Sequence, residues 1–315
     1  MNLDPKTIAF LFPGQGSQKV GMGQALAAAY PKAQAVFNKA DELLGFALSQ
    51  LAWEGPEEQL NDTINTQPAL LVHSVAVLRV FQEQYPGFEP AFVAGHSLGE
   101  LSALVAAGAL HYRDAVGLVR RRGELMKQAG EENPGGMAAI LGAETKKVDM
   151  ACVDASTKGQ IVQIANDNCP GQIVISGHQE AVERAMESAR EFGAKRALPL
   201  AVSIAAHSPL MASVQKDFAA AVKEAAITEP GLPIIGNVSA QAMYDTPAIR
   251  SDLEAQLTAR VRWTETIEFL IGEGVQTFIE LGNGNVLTGL LKRINPKVKG
   301  IALGEPEDFE RLVEL

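Results

Sequence analysis

A serine between two glycines, Gly95-His96-Ser97-Leu98-Gly99, directly follows the apolar run "EPAFVA" and precedes a small-residue helix pattern. Gly-x-Ser-x-Gly at a strand-to-helix turn is typical of a nucleophile elbow, in which the serine adopts a strained backbone conformation and its hydroxyl is exposed. Glycines two positions away on either side avoid collisions with the neighbouring strand or helix. The amide of Leu98, at the start of the helix, would point toward a carbonyl oxygen bound there. This stretch predicts acyl chemistry on Ser97.

A serine nucleophile needs a base, and the chain offers five histidines. His73 lies in an apolar helical run and is expected in the core or in a groove. His111 follows "AGAL" in a turn and His178 precedes a helix of the middle region, and capping or solvent contact is expected for them. His96 is adjacent to Ser97 and points elsewhere, although it can line the pocket. His207, in the irregular stretch "SIAAHSPLM", is the predicted base.

A second glycine-rich turn, "PGQGSQ", follows the buried strand pattern "TIAFLF" near the N-terminus. It does not fit a phosphate-binding loop, because Lys19 stands where the third glycine of G-x-G-x-x-G is required. A plain tight turn is one interpretation. The functional alternative is that a backbone N–H here gives a second donor to an oxyanion at Ser97.

The run "LVRRRGELM" places three arginines on a helix whose other face is apolar. Such a run is usually a solvated face. One of the three arginines could instead reach into the cleft, which would suit a substrate that carries a carboxylate.

Short apolar strands alternate with helical patterns in both outer parts of the chain, and several of the strands end in glycines. This alternation predicts an α/β fold with a doubly wound, mostly parallel sheet similar to that of hydrolases. In such a sheet, ligands bind beyond the carboxyl ends of the strands.

The middle of the chain has a different order, strand-helix-strand-strand-helix-strand, from "MAAILG" to "KRALPL". That order predicts a ferredoxin-like unit. We therefore expect a small domain at 130–202 inserted into a large domain formed by 1–129 and 203–315. The cleft between the two is the expected ligand site.

Composition excludes several classes of function. The net charge of −10 argues against broad nucleic-acid binding. No apolar run approaches the about 18 residues of a membrane span, and no signal-peptide pattern begins the chain, so a cytoplasmic location is expected. The two cysteines, Cys152 and Cys169, have neither disulfide-framework nor zinc-ligand spacing and are expected to be inert thiols.

Taken together, "FPGQGSQ", "GHSLGE", the Arg122-Gly123 pair, His207 and "QIVISG" resemble the malonyl-CoA:acyl carrier protein transacylases of type II fatty acid synthesis. The resemblance covers essentially the whole chain and fits the inserted ferredoxin-like unit. Two positions depart from the family pattern: Arg260 stands where a proline is frequent, and Cys169 stands where a serine is common.

The resemblance implies roles for individual residues. Ser97 would be the nucleophile and His207 its base, without an obligatory aspartate. The backbone amides of Gln15 and Leu98 would form the oxyanion hole. Arg122 would bind the malonyl carboxylate in a bidentate pair.

Three further residues are assigned to the substrate site by the same resemblance. Gln256 would orient His207 through its backbone carbonyl, and Asn168 and Gln172 would face the cleft from the small domain. The implied reaction is ping-pong transfer of malonyl from malonyl-CoA to the phosphopantetheine thiol of acyl carrier protein. The resemblance implies no metal or other cofactor, and we expect a monomer that binds neither nucleic acid nor membrane.

Other functions share some of these features. A thioesterase of the α/β-hydrolase class would need an acidic residue between Ser97 and a late histidine, and it would leave Arg122 without a purpose. A non-catalytic carrier-protein-binding domain would not need Ser97, His207 and Arg122 intact. A third alternative is a related transacylase that serves a polyketide or malonate decarboxylase system, which the sequence does not distinguish from the first function.

Overall fold

The computed structural model describes residues 4–202 and 204–314 of the 315-residue chain. Within them lie ten strands: β1 Ile8–Phe12, β2 Phe92–Gly95, β3 Gly136–Leu141, β4 Val162–Cys169, β5 Gln172–Gly177, β6 Arg196–Pro199, β7 Ile234–Ile235, β8 Ala242–Met243, β9 Thr277–Leu281 and β10 Lys299–Leu303.

The same residues form fourteen α-helices: α1 Gln24–Ala29, α2 Pro31–Leu44, α3 Leu48–Glu54, α4 Glu57–Asn61, α5 Thr63–Gln84, α6 Gly99–Ala106, α7 Tyr112–Glu132, α8 Thr145–Ala155, α9 Gln179–Glu191, α10 Ala212–Glu224, α11 Thr246–Gln256, α12 Trp263–Gly272, α13 Val286–Ile294 and α14 Pro306–Glu314. Short 3-10 helices at Pro5–Thr7 and Pro209–Met211 complete the order.

The larger sheet has six strands in the order β10-β9-β1-β2-β7-β8. Every pairing is parallel except that of β7 with β8. The side chains of β1 alternate between two apolar clusters: Phe10 and Phe12 pack on one face, and Ala9 and Leu11 on the other. Because both faces are covered, the strand is apolar at every position, as parallel strands usually are. The doubly wound α/β fold expected from the sequence is confirmed.

The smaller sheet has four antiparallel strands in the order β4-β5-β3-β6. Along the chain its elements follow as β3-α8-β4-β5-α9-β6, which is the predicted ferredoxin-like order. Its own apolar cluster lies between the sheet and the two helices, around Ile140, Ile164, Ile175 and Val182. The smaller sheet thus has a core separate from that of the larger one.

The limits of the two domains stay a prediction. Helix α7 extends to Glu132, so the boundary expected at 130 lies within its last turn, and position 203 lies outside the described residues. The two sheets are joined by backbone hydrogen bonds between β4 and the loop before α12. Asp167 N donates to Val261 O over 2.9 Å, and Val261 N donates to Ala165 O over 2.8 Å.

Two predictions from composition concern burial and membranes. Both Cys152 and Cys169 are buried free thiols, as expected. Over residues 4–202 and 204–314, none of the helices combines the length and the apolar character that crossing a membrane requires.

Candidate active site

The turn between β2 and α6 holds Ser97 at a φ of 52°, in the left-handed region. A side chain at Gly95 would overlap the carbonyl group of Gly99, and one at Gly99 would overlap the carbonyl oxygen of Phe12 on β1. The backbone approaches so closely that only glycine fits at these two positions. The strained backbone conformation of Ser97 exposes its hydroxyl group. The Ser97 N–H donates to Asn237 Oδ1 over 2.8 Å, which fixes the turn from the segment between β7 and β8.

Ser97 Oγ lies 2.8 Å from His207 Nε2. His207 Nδ1 lies 2.9 Å from the backbone carbonyl oxygen of Gln256 and 3.2 Å from that of Ala259. Because a carbonyl oxygen only accepts, these contacts place the proton on Nδ1 and leave Nε2 free to take the serine proton. The base is oriented by main-chain carbonyls, where a hydrolase triad uses a carboxylate.

Burial and, after it, the positive charge of Arg122 lower the pKa of His207 to about 3, while the bonds to Gln256 and Ala259 oppose the change. His207 is 3% exposed. The imidazole is therefore neutral at physiological pH, the state that a general base requires.

Arg122 on α7 is 1% exposed and reaches the nucleophile. Its Nη2 donates to Ser97 Oγ over 3.1 Å and to Gln256 Oε1 over 2.8 Å, and its Nη1 donates to Gln67 Oε1 over 2.7 Å. Burial lowers the pKa of Arg122 to about 10, with Glu100 opposing, so the guanidinium stays charged at neutral pH. Its buried Nε has no hydrogen-bond partner among the described residues. A buried donor beside the nucleophile is therefore open to a substrate acceptor.

The predicted oxyanion donors lie on the two glycine-rich turns that follow β1 and β2, at the same end of the sheet. Within residues 4–202 and 204–314, neither the N–H of Gln15 nor that of Leu98 donates to another protein group. Gln15 is held by its side chain, which accepts from Thr63 Oγ1 over 3.0 Å. Both amides are thus available to a ligand oxygen.

The two small-domain residues occupy different places. Asn168, at the end of β4, is 9% exposed and accepts from His96 Nε2 over 2.8 Å, which brings it beside the elbow. Burial lowers the pKa of His96, and the bond to Asn168 opposes the change. Gln172 lies on the surface side, where its Oε1 accepts from Arg293 Nη1 on α13. Asn168 therefore lies next to the neighbour of Ser97, whereas Gln172 contacts Arg293 at the protein surface.

Sequence reasoning missed several residues that complete the cluster. Gln67 on α5 and Glu100 on α6 are fully buried polar residues within apolar helical patterns, and a polar residue at a core position was the available signal. Asn237, in "IIGNVSA", follows a buried strand at the ligand-binding end of the sheet. Gln163 on β4 gave no signal, because its contact with the His207 carbonyl at 2.9 Å depends on how the two sheets dock.

Metal ligation has no support in the described part of the chain, where no group of three His, Cys, Asp or Glu side chains could hold an ion. What the cluster offers is a nucleophile, a neutral base, a pair of free amides and a buried cation. This set suits covalent acyl transfer from a substrate that carries a negative charge.

Comparison with known proteins gives concordant results. A family model described as the acyl transferase domain matches residues 9–301. The malonyl CoA-acyl carrier protein transacylase of Bacillus subtilis (strain 168) is 49% identical over 307 residues, 98% of this chain and 96% of the relative. The enzyme of the same name from Escherichia coli (strain K12) is 46% identical over 98% of this chain and 99% of its own length.

Solved structures agree in fold. An acyl carrier protein S-malonyltransferase from Vibrio cholerae superposes with a TM-score of 0.93 at 45% identity, over 97% of this chain and 99% of that chain. A malonyl-transacylase in complex with its type II PKS acyl-carrier protein superposes with a TM-score of 0.94 at 45% identity, over 98% of this chain and 99% of that chain.

Proposed function

Because this chain belongs to the acyl transferase family, among the malonyl-CoA:acyl carrier protein transacylases that its motifs predicted, we propose that it moves a malonyl group from malonyl-CoA to acyl carrier protein. The acyl group would pass through an ester on Ser97. The product, malonyl-carrier protein, would supply fatty acid synthesis.

The single observation that carries the choice of acyl group is the buried guanidinium of Arg122, whose Nη2 lies 3.1 Å from Ser97 Oγ. A carboxylate taken into such a site without a partner would be costly. Arg122 can offer its unpaired Nε together with Nη2 as a fork of two parallel bonds. A malonyl ester on Ser97 carries its carboxylate a few bonds from Oγ, within reach of that fork.

In the first half-reaction, His207 Nε2 takes the Ser97 proton and Oγ attacks the thioester carbonyl of malonyl-CoA. The negative charge on the carbonyl oxygen is stabilised by the N–H groups of Gln15 and Leu98. The C–S bond then breaks, the sulfur takes the proton back from His207, and free coenzyme A leaves a malonyl-serine ester.

The second half-reaction runs the same steps with a different thiol. The phosphopantetheine thiol of the carrier protein gives its proton to His207 Nε2 and attacks the ester carbonyl. Collapse of the tetrahedral intermediate returns the proton to Ser97 Oγ and releases malonyl-carrier protein. One base therefore serves both directions, and no group outside this chain and its two substrates takes part in the steps.

We also propose roles for two residues of the cleft, an oligomeric state for the protein and a compartment in which it works. Asn168, beside His96, would contact the substrate arm at the cleft, and Gln172 would do so at its outer rim. Ser97, His207, Arg122 and the two amides belong to one chain, so the proposed mechanism needs no residue of a second copy, and we keep the monomer as part of the proposal. The two free thiols suit a reducing compartment such as the cytoplasm.

A hydrolase is the main alternative from another class, and two observations weigh against it. His207 has carbonyl partners where a hydrolase triad has an acid, and a thioesterase has no use for a buried cation at the acyl end of the site. A sister transacylase that serves a polyketide pathway would share every residue of this cluster.

The proposal is tested by intact-mass measurement after the purified protein is mixed with malonyl-CoA. A malonyl adduct that maps to Ser97 and transfers to holo-acyl carrier protein is expected, and Ser97→Ala should form none. Rapid hydrolysis of malonyl-CoA without transfer would instead indicate a hydrolase. Full transferase activity in Ser97→Ala would refute the mechanism.

A further inference from the structure

The mechanism above leaves one fully buried carboxyl group unused. Glu100, in the first turn of α6, has no exposed surface. Its Oε2 accepts from Asn237 Nδ2 over 2.5 Å, from Gln256 Nε2 over 2.7 Å and from Asn237 N over 3.4 Å. Its Oε1 has no hydrogen-bond partner among the described residues. All of its bonds therefore converge on one oxygen.

The first partner, Asn237, connects Glu100 to the nucleophile. Its Nδ2 also donates to the Gly95 carbonyl over 2.8 Å, while its Oδ1 accepts from the Ser97 N–H over 2.8 Å. The amide of Asn237 thereby bonds the backbone of the strained turn at Gly95 and at Ser97. Glu100 keeps the amide in this orientation, because a carboxyl oxygen accepts from Nδ2 and would repel Oδ1.

The second partner, Gln256, connects Glu100 to the cation. Gln256 Nε2 donates to Glu100 and to the Ser97 carbonyl, the latter over 3.2 Å, and Gln256 Oε1 accepts from Arg122 Nη2. The Nε2 end of this amide therefore faces two acceptors, and its Oε1 end faces a donor. Loss of the Glu100 acceptor would leave a buried N–H unpaired and free the amide to rotate away from Arg122.

The charge of Glu100 matters because Arg122 lies in the same buried network. Burial raises the pKa of Glu100 well above its usual range, and nearby Asp252 raises it further, against the bonds from Gln256 and Asn237. The direction of this shift favours the uncharged form of the carboxyl group, in which Oε2 can still accept as a carbonyl oxygen. In its uncharged form Glu100 competes less than a carboxylate would for the charge of Arg122 across Gln256, which leaves that charge to a substrate carboxylate.

We propose that Glu100 is a positioning residue for acyl-group selectivity: it orients Gln256 so that the Arg122 guanidinium is held for a carboxylate next to Ser97. The inference rests on the proposed malonyl transfer. It concerns an effect through two amides, since Glu100 itself touches no reacting atom.

The experiment measures kcat/KM for acylation of Ser97 by malonyl-CoA and by acetyl-CoA, and takes their ratio. Glu100→Met removes the acceptor at nearly equal volume, and the ratio should fall about tenfold or more, because a buried N–H of Gln256 is then left without a partner. Glu100→Gln keeps an acceptor oxygen without charge, and its ratio should stay within about threefold of wild type. A wild-type ratio in folded Glu100→Met, or an equal loss in both variants, would overturn the inference.

A matched control is available in Glu280, another carboxyl with no exposed surface, which accepts from the backbone N–H groups of Leu287 and Thr288 at the start of α13. Glu280→Met should lower Tm and leave the ratio unchanged, and a fall there equal to that of Glu100→Met would refute a specific role.

If Glu100→Met does not fold, Gln256→Met decides, since removal of the intermediary must lower the ratio and a wild-type ratio would overturn the inference. A wild-type protein that shows no preference for malonyl would instead contradict the proposed function.

Discussion

At the scale of single residues, Arg122 acts on two groups at once. It is the buried cation proposed to bind the acyl carboxylate, and its charge also lowers the pKa of His207. Both effects depend on the same short distances around Ser97 Oγ, which Arg122 Nη2 and His207 Nε2 approach from different sides at 3.1 and 2.8 Å. The residue that we propose selects the substrate therefore also contributes, after burial, to keeping the base unprotonated.

Replacement of Arg122 should separate malonyl from acetyl transfer. In Arg122→Ala we expect kcat/KM for malonyl-CoA to fall by about 30-fold to several thousand-fold, because a buried charge loses its partner. Acetyl-CoA has no carboxylate, so its slow transfer should survive or improve. The measurement is the ratio of the two kcat/KM values in wild type and variant.

Arg120 and Arg121 give matched controls on the same helix. Arg120 binds Ile64 O and Asn65 Oδ1 at 3.0 Å, and Arg121 lies near Glu124 on the surface. Neither arginine is bonded to Ser97, so alanine at either position should leave the ratio near wild type. A ratio that collapses in a control and not in Arg122→Ala would show that the carboxylate site is misassigned.

The pH dependence of acylation should reflect the lowered pKa of His207. A histidine whose pKa lies near 3 in the folded protein stays a neutral base as pH falls through 6.5, so the rate should show no acid limb there. Arg122→Ala removes the positive charge that is the second cause of the lowered pKa of His207. The fall of the rate at acid pH should therefore occur at a higher pH in this variant. Single-turnover acetylation in brief pH jumps measures both. A wild-type limb near 6.5, unchanged in the variant, would contradict this account.

At the scale of elements, the site depends on how closely α6 follows β2. The strand ends at Gly95 and the helix begins at Gly99, and the carbonyls of Phe12 and Pro13 from the turn after β1 lie against Gly99. This contact brings together the two glycine-rich turns that carry the proposed oxyanion donors, the amides of Gln15 and Leu98. The absence of a side chain at Gly99 is thus required by the fold and by the proposed oxyanion site.

Gly99→Ala should therefore lower the free energy of unfolding by about 2 kcal/mol or more, since the new methyl group meets backbone that cannot move aside. The acylation rate should fall with it. Gly117→Ala on α7 is the control, because nothing lies within 4 Å of its added carbon. There alanine should stabilise the helix by roughly 0.5–1 kcal/mol. Urea unfolding measures both, and equal effects would contradict the steric argument.

At the scale of the whole molecule, the small domain helps to hold the base. Gln163 on β4 donates to the carbonyl of His207 over 2.9 Å and to that of Thr258 over 3.0 Å. Together with the backbone bonds between β4 and Val261, this contact joins the smaller sheet to the strand-free segment that carries His207. His207 itself has a φ of 56°, a strained conformation that such contacts maintain.

Exposed basic residues from both sides of the fold lie around the turn between β4 and β5. Lys195 lies against Gly142, whose backbone N–H bonds the carbonyl of Gly171, and Arg293 of α13 reaches the same turn at Pro170 and Gln172. Since the chain carries a net charge of −10, an acidic carrier protein needs such a local basic surface to dock.

Charge reversal at Lys195, at Arg293, or at their neighbours Arg196 and Lys292 should raise KM for the carrier protein more than KM for malonyl-CoA. The effect should weaken as salt increases, because exposed charges are screened. Lys32→Glu on α2 makes the same charge change outside this surface and should leave both KM values near wild type. Equal changes in KM for both substrates, or no salt dependence, would count against this basic surface as the docking site of the carrier protein.

The sequence by itself determined the local features of this protein. Gly95, Ser97 and Gly99 specify the elbow because the turn is made by neighbours in the chain, and the alternation of strands and helices specifies both sheets. His207 could be chosen among five histidines by its irregular surroundings. Motif resemblance then supplied Arg122 and Gln256, for which local pattern left alternatives open.

Only the tertiary structure decided how these residues work together. Asn237, Glu100 and Gln163 come from three different elements, and their contacts form only when α6, the turn between β7 and β8, and β4 are docked. Buried polar side chains must find partners, but the sequence does not state which ones, because the partner may lie anywhere in the chain. Residue type and local pattern therefore set the chemistry, while the packing of distant elements set its geometry.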